Sequence, residues 1–395
     1  MARRLTPANE SVRRLTPASE SARRLTLAVP SLALGGAERV VAKMANHWAD
    51  RGEAVTVITL SGEAGDTYAL DPRVTRIALN AMRDSRGPVQ AIIHNVHRVR
   101  LLRRAIADSA PETVISFTDR MNVLTLLACR PLGVDTVVSE RIDPSRYEIG
   151  RAWSWLRRRV YPSARALVVQ TERVRRQLVD VMCGRPIYVI PNAVEPRQPA
   201  AAMLRTAEPA RIRWIVAMGR LAPQKGFDLL IDAFSRVAGR HPQWSLQILG
   251  EGPERRTLER LIDMKGLAGR VVLAGWEPDP NAILQQGDLF VLSSRFEGFP
   301  NALLEAMACG LPAVSFDCQS GPAEIIRNQI DGILVPPEDV AGLADSINRA
   351  LTDEALRHRL AAEAVRVVER FSVARYFARW DAVLRGDPPE SEINL

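Results

Sequence analysis

Short apolar segments alternate with longer amphipathic segments from residue 25 onward. Apolar runs of this length predict buried strands, and the segments between them predict helices. In the first half, the predicted strands are 25–32, 54–60, 113–117, 136–139 and 166–170, and the predicted helices are one ending near residue 50, 89–108 and 120–130. Continuous apolar strands separated by helices are typical of a parallel sheet covered on both faces. This half therefore predicts a doubly wound α/β domain.

A Pro-rich connector, residues 191–199, interrupts this alternation and indicates a domain boundary. Beyond it the predicted strands are 214–218, 245–249, 271–274, 289–292 and 313–316, and the predicted helices are 226–239, 253–265, 301–309, 339–352, 354–370 and 372–385. We predict an α/β fold with parallel-sheet domains over 23–195 and 205–371. A C-terminal helix, within 372–388, is expected to cross back to the first domain. The ligand cleft is expected where the carboxyl ends of the two sheets face each other.

A ten-residue repeat opens the chain. The sequence Arg-Arg-Leu-Thr starts at residues 3, 13 and 23, and only the third copy continues into an apolar strand. Two copies are too short for a solenoid. We therefore interpret residues 1–22 as a basic, mostly disordered extension.

The charge is unevenly distributed along the 395 residues. Residues 1–200 hold 31 Lys and Arg against 19 Asp and Glu, whereas residues 201–395 hold 22 against 26. A basic half is either a solvated surface or a surface that attracts anionic lipid or an anionic lipid-linked substrate. Nucleic acid is a weaker option, because no nucleic-acid motif is present and the aromatic residues are not interleaved with the basic clusters. We expect no nucleic-acid partner.

Membrane contact is expected at the periphery only. No apolar run is long enough to span a bilayer, and no signal-peptide core is present at the N-terminus. Trp153 and Trp155 lie among arginines in a basic amphipathic segment, which predicts either an interfacial helix or packing on the domain core. The cysteines lack metal-type spacing and are read as reduced core thiols of a cytoplasmic protein: Cys129, Cys183, Cys309 and Cys318. The predicted location is the cytoplasm, with possible attachment to the inner face of the cell membrane.

Two cations follow the first strand of the second domain. Gly219 precedes Arg220, and Lys225 lies just before a predicted helix. Cations held at such a strand end neutralise a diphosphate and stabilise the charge that builds on it as it leaves. A surface Arg and Lys near a helix start are the alternative. Gly250, in a tight turn at the next strand end, is placed near a base or ribose.

Two glutamates flank another strand-to-helix turn. Glu297 lies in the loop and Glu305 in the second turn of the helix, so that the helix start between them offers free N–H groups to a phosphate. A solvated loop acid and a helix-surface acid are the alternative. The predicted phosphate-binding turn consists of Gly298, Phe299, Pro300, Asn301 and Ala302, with Leu303 extending it.

The first domain supplies the opposite wall of the predicted cleft. Gly35 and Gly36 follow its first strand, where glycine permits unusual φ values and close approach of a ligand. Other polar residues follow two further strands and are assigned to the acceptor side, although each is equally a candidate helix cap or salt-bridged surface residue: Thr118, Asp119, Glu140 and Arg141.

Three segments of the chain resemble family 4 glycosyltransferases. They are 34–41, containing Gly-Gly-Ala-Glu-Arg, 219–226, and 296–312, which contains the E-x7-E pattern from Glu297 to Glu305. The resemblance covers roughly residues 25–385 and implies the GT-B fold, with two Rossmann-like domains facing across a cleft, and transfer with retention of configuration. The segments 114–117 and 139–141 further resemble members that extend lipid-linked glycans in bacterial polysaccharide or N-glycan assembly.

The resemblance also implies roles for particular residues. Arg220 and Lys225 would bind the donor diphosphate, Glu297 the donor sugar, and Glu305 the ribose. Backbone near residues 272–276 would meet the base. Many relatives carry a His in the first-domain cleft where this chain has residues 116–119, so the sugar contact from that side is left open.

The function predicted from the resemblance is a hexosyl- or N-acetylhexosaminyl-transferase. Its partners are a nucleotide-diphosphate sugar, UDP-linked in the first instance, and a glycan or lipid-linked acceptor. The family needs no bound metal and the chain has no Asp-x-Asp motif, so no cofactor is expected. A sugar-nucleotide epimerase of the same fold and a non-catalytic nucleotide-sugar-binding or glycan-binding subunit are the alternatives.

Overall fold

The computed structural model describes residues 22–33, 35–145, 149–197 and 212–389. Within these ranges the chain forms two parallel sheets, each with apolar cores packed against it. The predicted α/β fold of two Rossmann-like domains is confirmed. Of the predicted N-terminal extension, residues 1–21 lie outside the described ranges.

The first sheet has the strand order β3-β2-β1-β4-β5-β6-β7 among the described residues. Its strands are β1 Arg24–Val29, β2 Ala54–Thr59, β3 Thr75–Ala78, β4 Thr113–Phe117, β5 Asp135–Ser139, β6 Ala166–Val169 and β7 Ile187–Val189. Its helices are α1 Gly36–Asp50, α2 Pro88–Ser109, α3 Asp119–Cys129, α4 Arg151–Val160 and α5 Glu172–Met182. No predicted element corresponds to strands β3 and β7 or to helix α5. The two strands are short and lie at the sheet edges.

The second sheet has the strand order β10-β9-β8-β11-β12-β13 in the part of the chain that is described. Its strands are β8 Arg213–Met218, β9 Trp244–Leu249, β10 Val271–Gly275, β11 Leu289–Leu292, β12 Ala313–Phe316 and β13 Ile333–Val335. Its helices are α6 Phe227–Val237, α7 Arg255–Met264, α8 Asn281–Gln286, α9 Asn301–Ala308, α10 Pro322–Ile325, α11 Val340–Thr352, α12 Glu354–Ala364 and α13 Val367–Arg370. The single helix predicted over 354–370 is therefore two helices.

The final helix, α14 Val373–Arg385, packs on the first domain. Ser372 caps its start, because the Ser372 hydroxyl accepts a hydrogen bond from the amide of Arg375 at 3.3 Å. Trp380 is fully buried, with its ring edge-on to Trp48 of α1 and tilted against Phe117 of β4. The chain thus leaves the first domain once and returns to it at its C-terminal end.

The four cysteines form no disulfide with one another. Cys129, Cys309 and Cys318 are buried as predicted, and burial raises the pKa of each thiol. Cys183 differs, since it is exposed in a left-handed conformation directly after α5. The reading of all four as core thiols is therefore wrong for Cys183.

Candidate active site

A cleft of about 710 Å³ lies between the two domains, lined by residues that follow the strands of both sheets. Its volume is in the range of ligand sites. The cleft contains these predicted residues: Gly35, Gly36, Thr118, Arg141, Gly219, Arg220, Lys225, Gly250, Phe299, Asn301, Ala302 and Glu305. The predicted residues outside its lining are Asp119, Glu140, Glu297, Gly298, Pro300 and Leu303.

Glu297 lies directly behind Lys225. The Lys225 ammonium donates to Glu297 Oε1 at 2.6 Å, and the Ser294 hydroxyl donates to the same oxygen at 2.7 Å. Glu297 is buried, so the Lys225 charge compensates a carboxylate that would otherwise be costly to remove from water. Lys225 therefore reaches the cleft as half of an ion pair.

Arg220 provides the less compensated charge at this end of the cleft. It follows β8, its side chain is exposed, and no ion pair joins it to another residue of the described ranges. An exposed, unpaired guanidinium is available to a bidentate anion such as a phosphate. Of the two predicted cations, Arg220 is thus the one whose charge is unshared.

The start of α9 offers two amide groups. Pro300 is the N-cap residue and provides no side-chain cap. The amides of Leu303 and Leu304 donate to the Pro300 carbonyl at 3.1 and 3.2 Å, whereas those of Asn301 and Ala302 donate to no described group. Free amides at a helix start bind anions. Leu303 was predicted as part of this anion site. It does not belong to it, because its N–H already donates to the Pro300 carbonyl.

Glu305 projects from the second turn of α9 into the cleft and is 4% exposed. Its Oε1 contacts the guanidinium of Arg39, a residue of α1 in the first domain. Its Oε2 is buried and has no hydrogen-bond partner within the structure as described. A buried carboxylate oxygen without a donor is costly, and a ligand hydroxyl in the cleft would satisfy it.

The glycine pair of the first domain works by close approach. The φ of Gly35 is 179°, an extended conformation open to any residue, so the expected need for an unusual φ is wrong. A Cβ on Gly36 would lie 3.4 Å from Asn301 Nδ2 across the cleft. Gly36 thus lies close to the helix start of the second domain, where a Cβ would make an ordinary van der Waals contact.

Two other predicted glycines avoid collisions with backbone. Gly250 has a φ of 136°, and a Cβ there would lie 1.9 Å from the Gly219 carbonyl oxygen. A Cβ on Gly298 would lie 2.3 Å from the carbonyl oxygen of Arg141 in the first domain. Gly298, predicted as part of the phosphate turn, is thus a point of contact between the domains.

The acceptor-side residues divide into two pairs. Thr118 and Arg141 line the cleft, and the Arg141 Nη1 donates to Asn192 Oδ1 at 2.8 Å. Asp119 lies in the first turn of α3 and accepts a hydrogen bond from the backbone amide of Arg120. This contact fits the alternative that Asp119 satisfies the helix start. Asp119 and Glu140 were expected to face the cleft, and neither does.

Glu140 belongs to a buried polar network instead. The Tyr161 hydroxyl donates to its Oε1, the Arg157 Nη1 lies 3.8 Å from the same atom, and Asn122 Nδ2 donates to Tyr161 at 3.2 Å. Burial raises the pKa of Glu140 to about 7, against the opposing effects of Tyr161 and Arg157. The residue points into the protein because it follows a fully buried strand end.

Sequence reasoning singled out neither Arg39 nor Asn192, which both line the cleft. Arg39 lies three positions after Gly36, on the same face of α1, and this helical spacing is the signal that predicts its proximity. Asn192 lies in the connector and was not singled out, because a polar residue in a Pro-rich segment normally indicates a loop. Trp276 is half-exposed in the cleft wall, after β10. Within the described ranges, no group of three or more His, Cys, Asp or Glu is placed to hold a metal ion.

Two family models together match most of the chain. The model described as "Glycosyltransferase Family 4" matches residues 34–198, and the model "Glycosyl transferases group 1" matches residues 205–367. The first match covers the domain of the first sheet, and the second covers the domain that carries Lys225, Glu297 and Glu305.

The names of two curated relatives refer to bacterial polysaccharides. Over 329 residues the chain is 29% identical to the lipopolysaccharide core biosynthesis glycosyltransferase LpsE of Rhizobium meliloti, covering 83% of this chain and 88% of LpsE. Over 375 residues it is 30% identical to the exopolysaccharide phosphotransferase SCO2592 of Streptomyces coelicolor. That match covers 88% of this chain but only 39% of SCO2592, and the chain spans about half of several other relatives.

Solved structures share the fold. Sucrose-phosphate synthase from Thermosynechococcus elongatus superposes with a TM-score of 0.79 at 19% identity, covering 92% of this chain and 99% of that one. Anabaena Alr3699/HepE, solved with UDP and glucose, gives a TM-score of 0.74 at 20% identity over the same shares. Two facing parallel-sheet domains with a cleft between them define the GT-B class of glycosyltransferases. Within that class, the chain belongs to glycosyltransferase family 4.

Proposed function

We propose that this protein moves a hexosyl or N-acetylhexosaminyl group, with retention of configuration, from a nucleotide-diphosphate sugar to a hydroxyl of a glycan or lipid-linked acceptor. The observation that carries the proposal is the unpartnered Glu305 Oε2 beside the two free amides of α9. The oxygen needs a hydroxyl donor, and the amides need an anion. A sugar nucleotide supplies both on one molecule.

The donor fits the cleft in one direction. Its phosphates lie at Asn301 and Ala302, within reach of Arg220, and its ribose hydroxyls donate to Glu305 Oε2. The base then lies toward Gly250 and the ring of Trp276, which lines the same cleft. Because the Anabaena structure of this fold was solved with UDP, uridine nucleotides are the first to be tested.

The reacting groups follow from this placement. The bond from the anomeric carbon to the diphosphate breaks, the acceptor oxygen bonds to the same face, and the acceptor proton passes to the departing phosphate oxygen. Arg220, the Lys225 ammonium and the α9 amides stabilise the charge on the leaving diphosphate. Glu297 lies outside the cleft lining and acts on the donor through Lys225, whose ammonium it holds in place. Since these groups supply positive charge, the proposal includes no metal ion.

We assign the acceptor to polysaccharide or lipopolysaccharide assembly. The name of LpsE supports this assignment, because it is a lipopolysaccharide core enzyme that the chain matches over 88% of its length. A lipid-linked acceptor requires the enzyme to work at a membrane surface. No helix of the described residues is long and apolar enough to cross a membrane.

An exposed apolar stripe on α2 supports contact with a membrane surface. Val89, Ile92, Ile93 and Val96 recur at helical spacing and are 44–69% exposed. Clustered exposed apolar side chains of this size mark an interaction surface. The exposed basic residues around the stripe are Arg83, Arg86, Arg100 and Arg104.

The neighbouring helix α4 extends this surface. Helix α3 packs against both α2 and α4, which places the two on one side of the sheet. Trp155 is exposed beside Arg159, whereas Trp153 packs against the core. Apolar side chains surrounded by arginines suit an anionic bilayer, which accepts both. We therefore place the first domain on the inner face of the cell membrane.

The test measures sugar transfer directly. The purified protein is incubated with UDP- and GDP-linked hexoses and N-acetylhexosamines and with free and lipid-linked glycans, with and without EDTA, and the product is identified by NMR. We expect transfer in which the product keeps the donor's anomeric configuration, with no loss on addition of EDTA. Donor conversion without acceptor would favour the epimerase alternative, and nucleotide binding without turnover would favour the binding subunit.

A further inference from the structure

Asn192 joins the two domains through its side chain. Its Oδ1 accepts a hydrogen bond from Arg141 Nη1 at 2.8 Å, and its Nδ2 donates to Asn301 Oδ1 at 2.7 Å. Asn192 is only 5% exposed, and its bond to Arg141 is buried, whereas its bond to Asn301 is partly buried at the cleft wall. The three side chains therefore form a continuous relay from the first domain to the first residue of α9.

The relay lies beside the point at which the chain changes domain. Two residues beyond Asn192, the amide of Val194 donates to the Phe371 carbonyl at 2.9 Å, and Val194 pairs with Ser372 in an isolated parallel bridge. The outgoing and returning segments thus run side by side here. A change in the angle between the domains would move Asn192 relative to Asn301.

The domains are in close contact around the relay. Gly298 fits against the Arg141 carbonyl, and Gly36 fits against Asn301. Opening of the cleft would separate these pairs and break the relay at one of its two hydrogen bonds. The relay favours the closed arrangement because both of its hydrogen bonds are made there and one of them would be lost on opening.

The relay also acts on the proposed phosphate site. Asn301 is the first residue of α9, and its carboxamide is held by Asn192 while its backbone amide remains without a partner. We propose that Asn192 is a positioning residue that couples closure of the two domains to the phosphate-binding end of α9. This inference rests on the proposed function, since it is that reaction which closure would serve.

The first test substitutes Asn192→Leu, which keeps the side-chain size and removes both hydrogen bonds. We expect kcat for sugar transfer to fall at least tenfold, whereas the Kd for the nucleoside diphosphate, measured by calorimetry, changes less than threefold because its contacts lie in the second domain. Gln319→Ala is the matched control. It removes a different bond between the domains, from Arg173 to Gln319 at 2.9 Å, and should leave kcat within twofold.

A second variant works by sterics alone. Gly298→Ala places a methyl group against the Arg141 carbonyl and keeps every hydrogen-bonding group, so that it should lower kcat in the same way. In addition, Asn192→Leu combined with Asn301→Leu should lose no more than about twofold beyond Asn192→Leu alone. If the losses of kcat in the double variant add, Asn192 and Asn301 do not act as one relay, and the inference is wrong.

Closure is measured independently of activity by small-angle X-ray scattering. We expect a larger radius of gyration for Asn192→Leu and Gly298→Ala than for the wild type and Gln319→Ala. Unchanged scattering, unchanged kcat, or a parallel loss of nucleotide binding and kcat would each contradict the inference. If the wild type transfers no sugar at all, the proposed function fails, and the scattering comparison still decides whether the relay closes the cleft.

Discussion

Arg39 in the first domain contacts one carboxylate oxygen of Glu305 in the second, and the other oxygen has no partner among the described residues. Glu305 is therefore fixed in orientation by a residue across the cleft and unsatisfied at its second oxygen. This pairing explains how an acid buried in a helix serves as a hydrogen-bond acceptor. A residue of the first domain thus fixes the side chain that we propose as the ribose acceptor of the second domain.

Glu305 should distinguish ribose from deoxyribose. In the wild type we expect UDP to bind more tightly than 2′-deoxy-UDP or 3′-deoxy-UDP by about ten- to one-hundredfold, the effect of one hydrogen bond to a charged group. Glu305→Gln should lower UDP affinity and largely abolish this discrimination in calorimetry. Glu259→Gln, on exposed α7, is the control. Equal discrimination in the wild type and Glu305→Gln would refute the ribose role.

Lys225 and Glu297 should behave as a unit in stability. Lys225→Met leaves the Glu297 carboxylate buried with only Ser294 as a donor, which should cost about 2 kcal/mol of unfolding free energy. The double variant Lys225→Met/Glu297→Gln removes the unpaired charge and should recover most of that loss in denaturant titration. Both variants should lack transfer activity. An additive loss of stability in the double variant would show that the pair is not coupled.

Glu140 should make stability depend on pH. Its pKa is about 7 in the folded protein and near 4.5 when unfolded, so the folded state holds its proton more tightly. The stabilising effect is complete below about pH 4.5 and is lost as pH rises through 7. Glu140→Gln should remove on the order of 3 kcal/mol of this dependence.

The comparison uses denaturant titrations of both proteins from pH 5 to 8.5. Because the raised pKa of Glu324, about 8, contributes in the same direction in both proteins, only the difference between them reports on Glu140. A difference that stays constant with pH, or grows in favour of the wild type as pH rises, would contradict the assignment.

Trp380 should anchor α14 to the first domain. The side chain is fully buried between Trp48 and Phe117, and Trp380→Ala would leave a large cavity. We expect a loss of about 3–5 kcal/mol in unfolding free energy. Trp155→Ala, at an exposed position, is the control and should change stability by less than about 0.5 kcal/mol. Similar losses in both variants would mean that α14 does not dock as described.

The α2 stripe should mediate membrane binding. In flotation with liposomes containing anionic lipid, Ile92→Asp/Ile93→Asp should reduce the bound fraction severalfold, because two charges replace inserted apolar side chains. Met264→Asp, at an exposed apolar position in the second domain, is the control. Binding of the wild type should weaken with salt and on neutral liposomes. If the double variant floats with liposomes as the wild type does, the α2 stripe is not the membrane-binding surface.

Much of the fold could be predicted from apolar periodicity. Strands β4, β11 and β12 lie at the predicted residues, because each is a buried segment of a parallel sheet with apolar side chains on both faces. The edge strands β3 and β7 escaped prediction, since β3 has no buried residue and β7 is only three residues long. Helix α5 was missed although Thr171 caps it through a bond to the Val174 amide.

The candidate site could be predicted only within continuous segments. Glu297, Glu305 and Asn301 were found because one strand, one turn and one helix bring them together. The positions of Glu140 and Gly298 were misjudged, because the sequence places both after strands but does not state whether a side chain faces the cleft, the core or the other domain.

The sequence by itself thus determined two parallel-sheet domains, their connector and the residues of the donor end of the cleft, since these depend on local periodicity and turn chemistry. Only the tertiary structure decided which distant groups meet: Arg39 with Glu305, Asn192 with Arg141 and Asn301, and Gly298 with the Arg141 backbone. Those contacts join residues more than 50 positions apart. They depend on how two separately folded domains pack, and no local pattern encodes that packing.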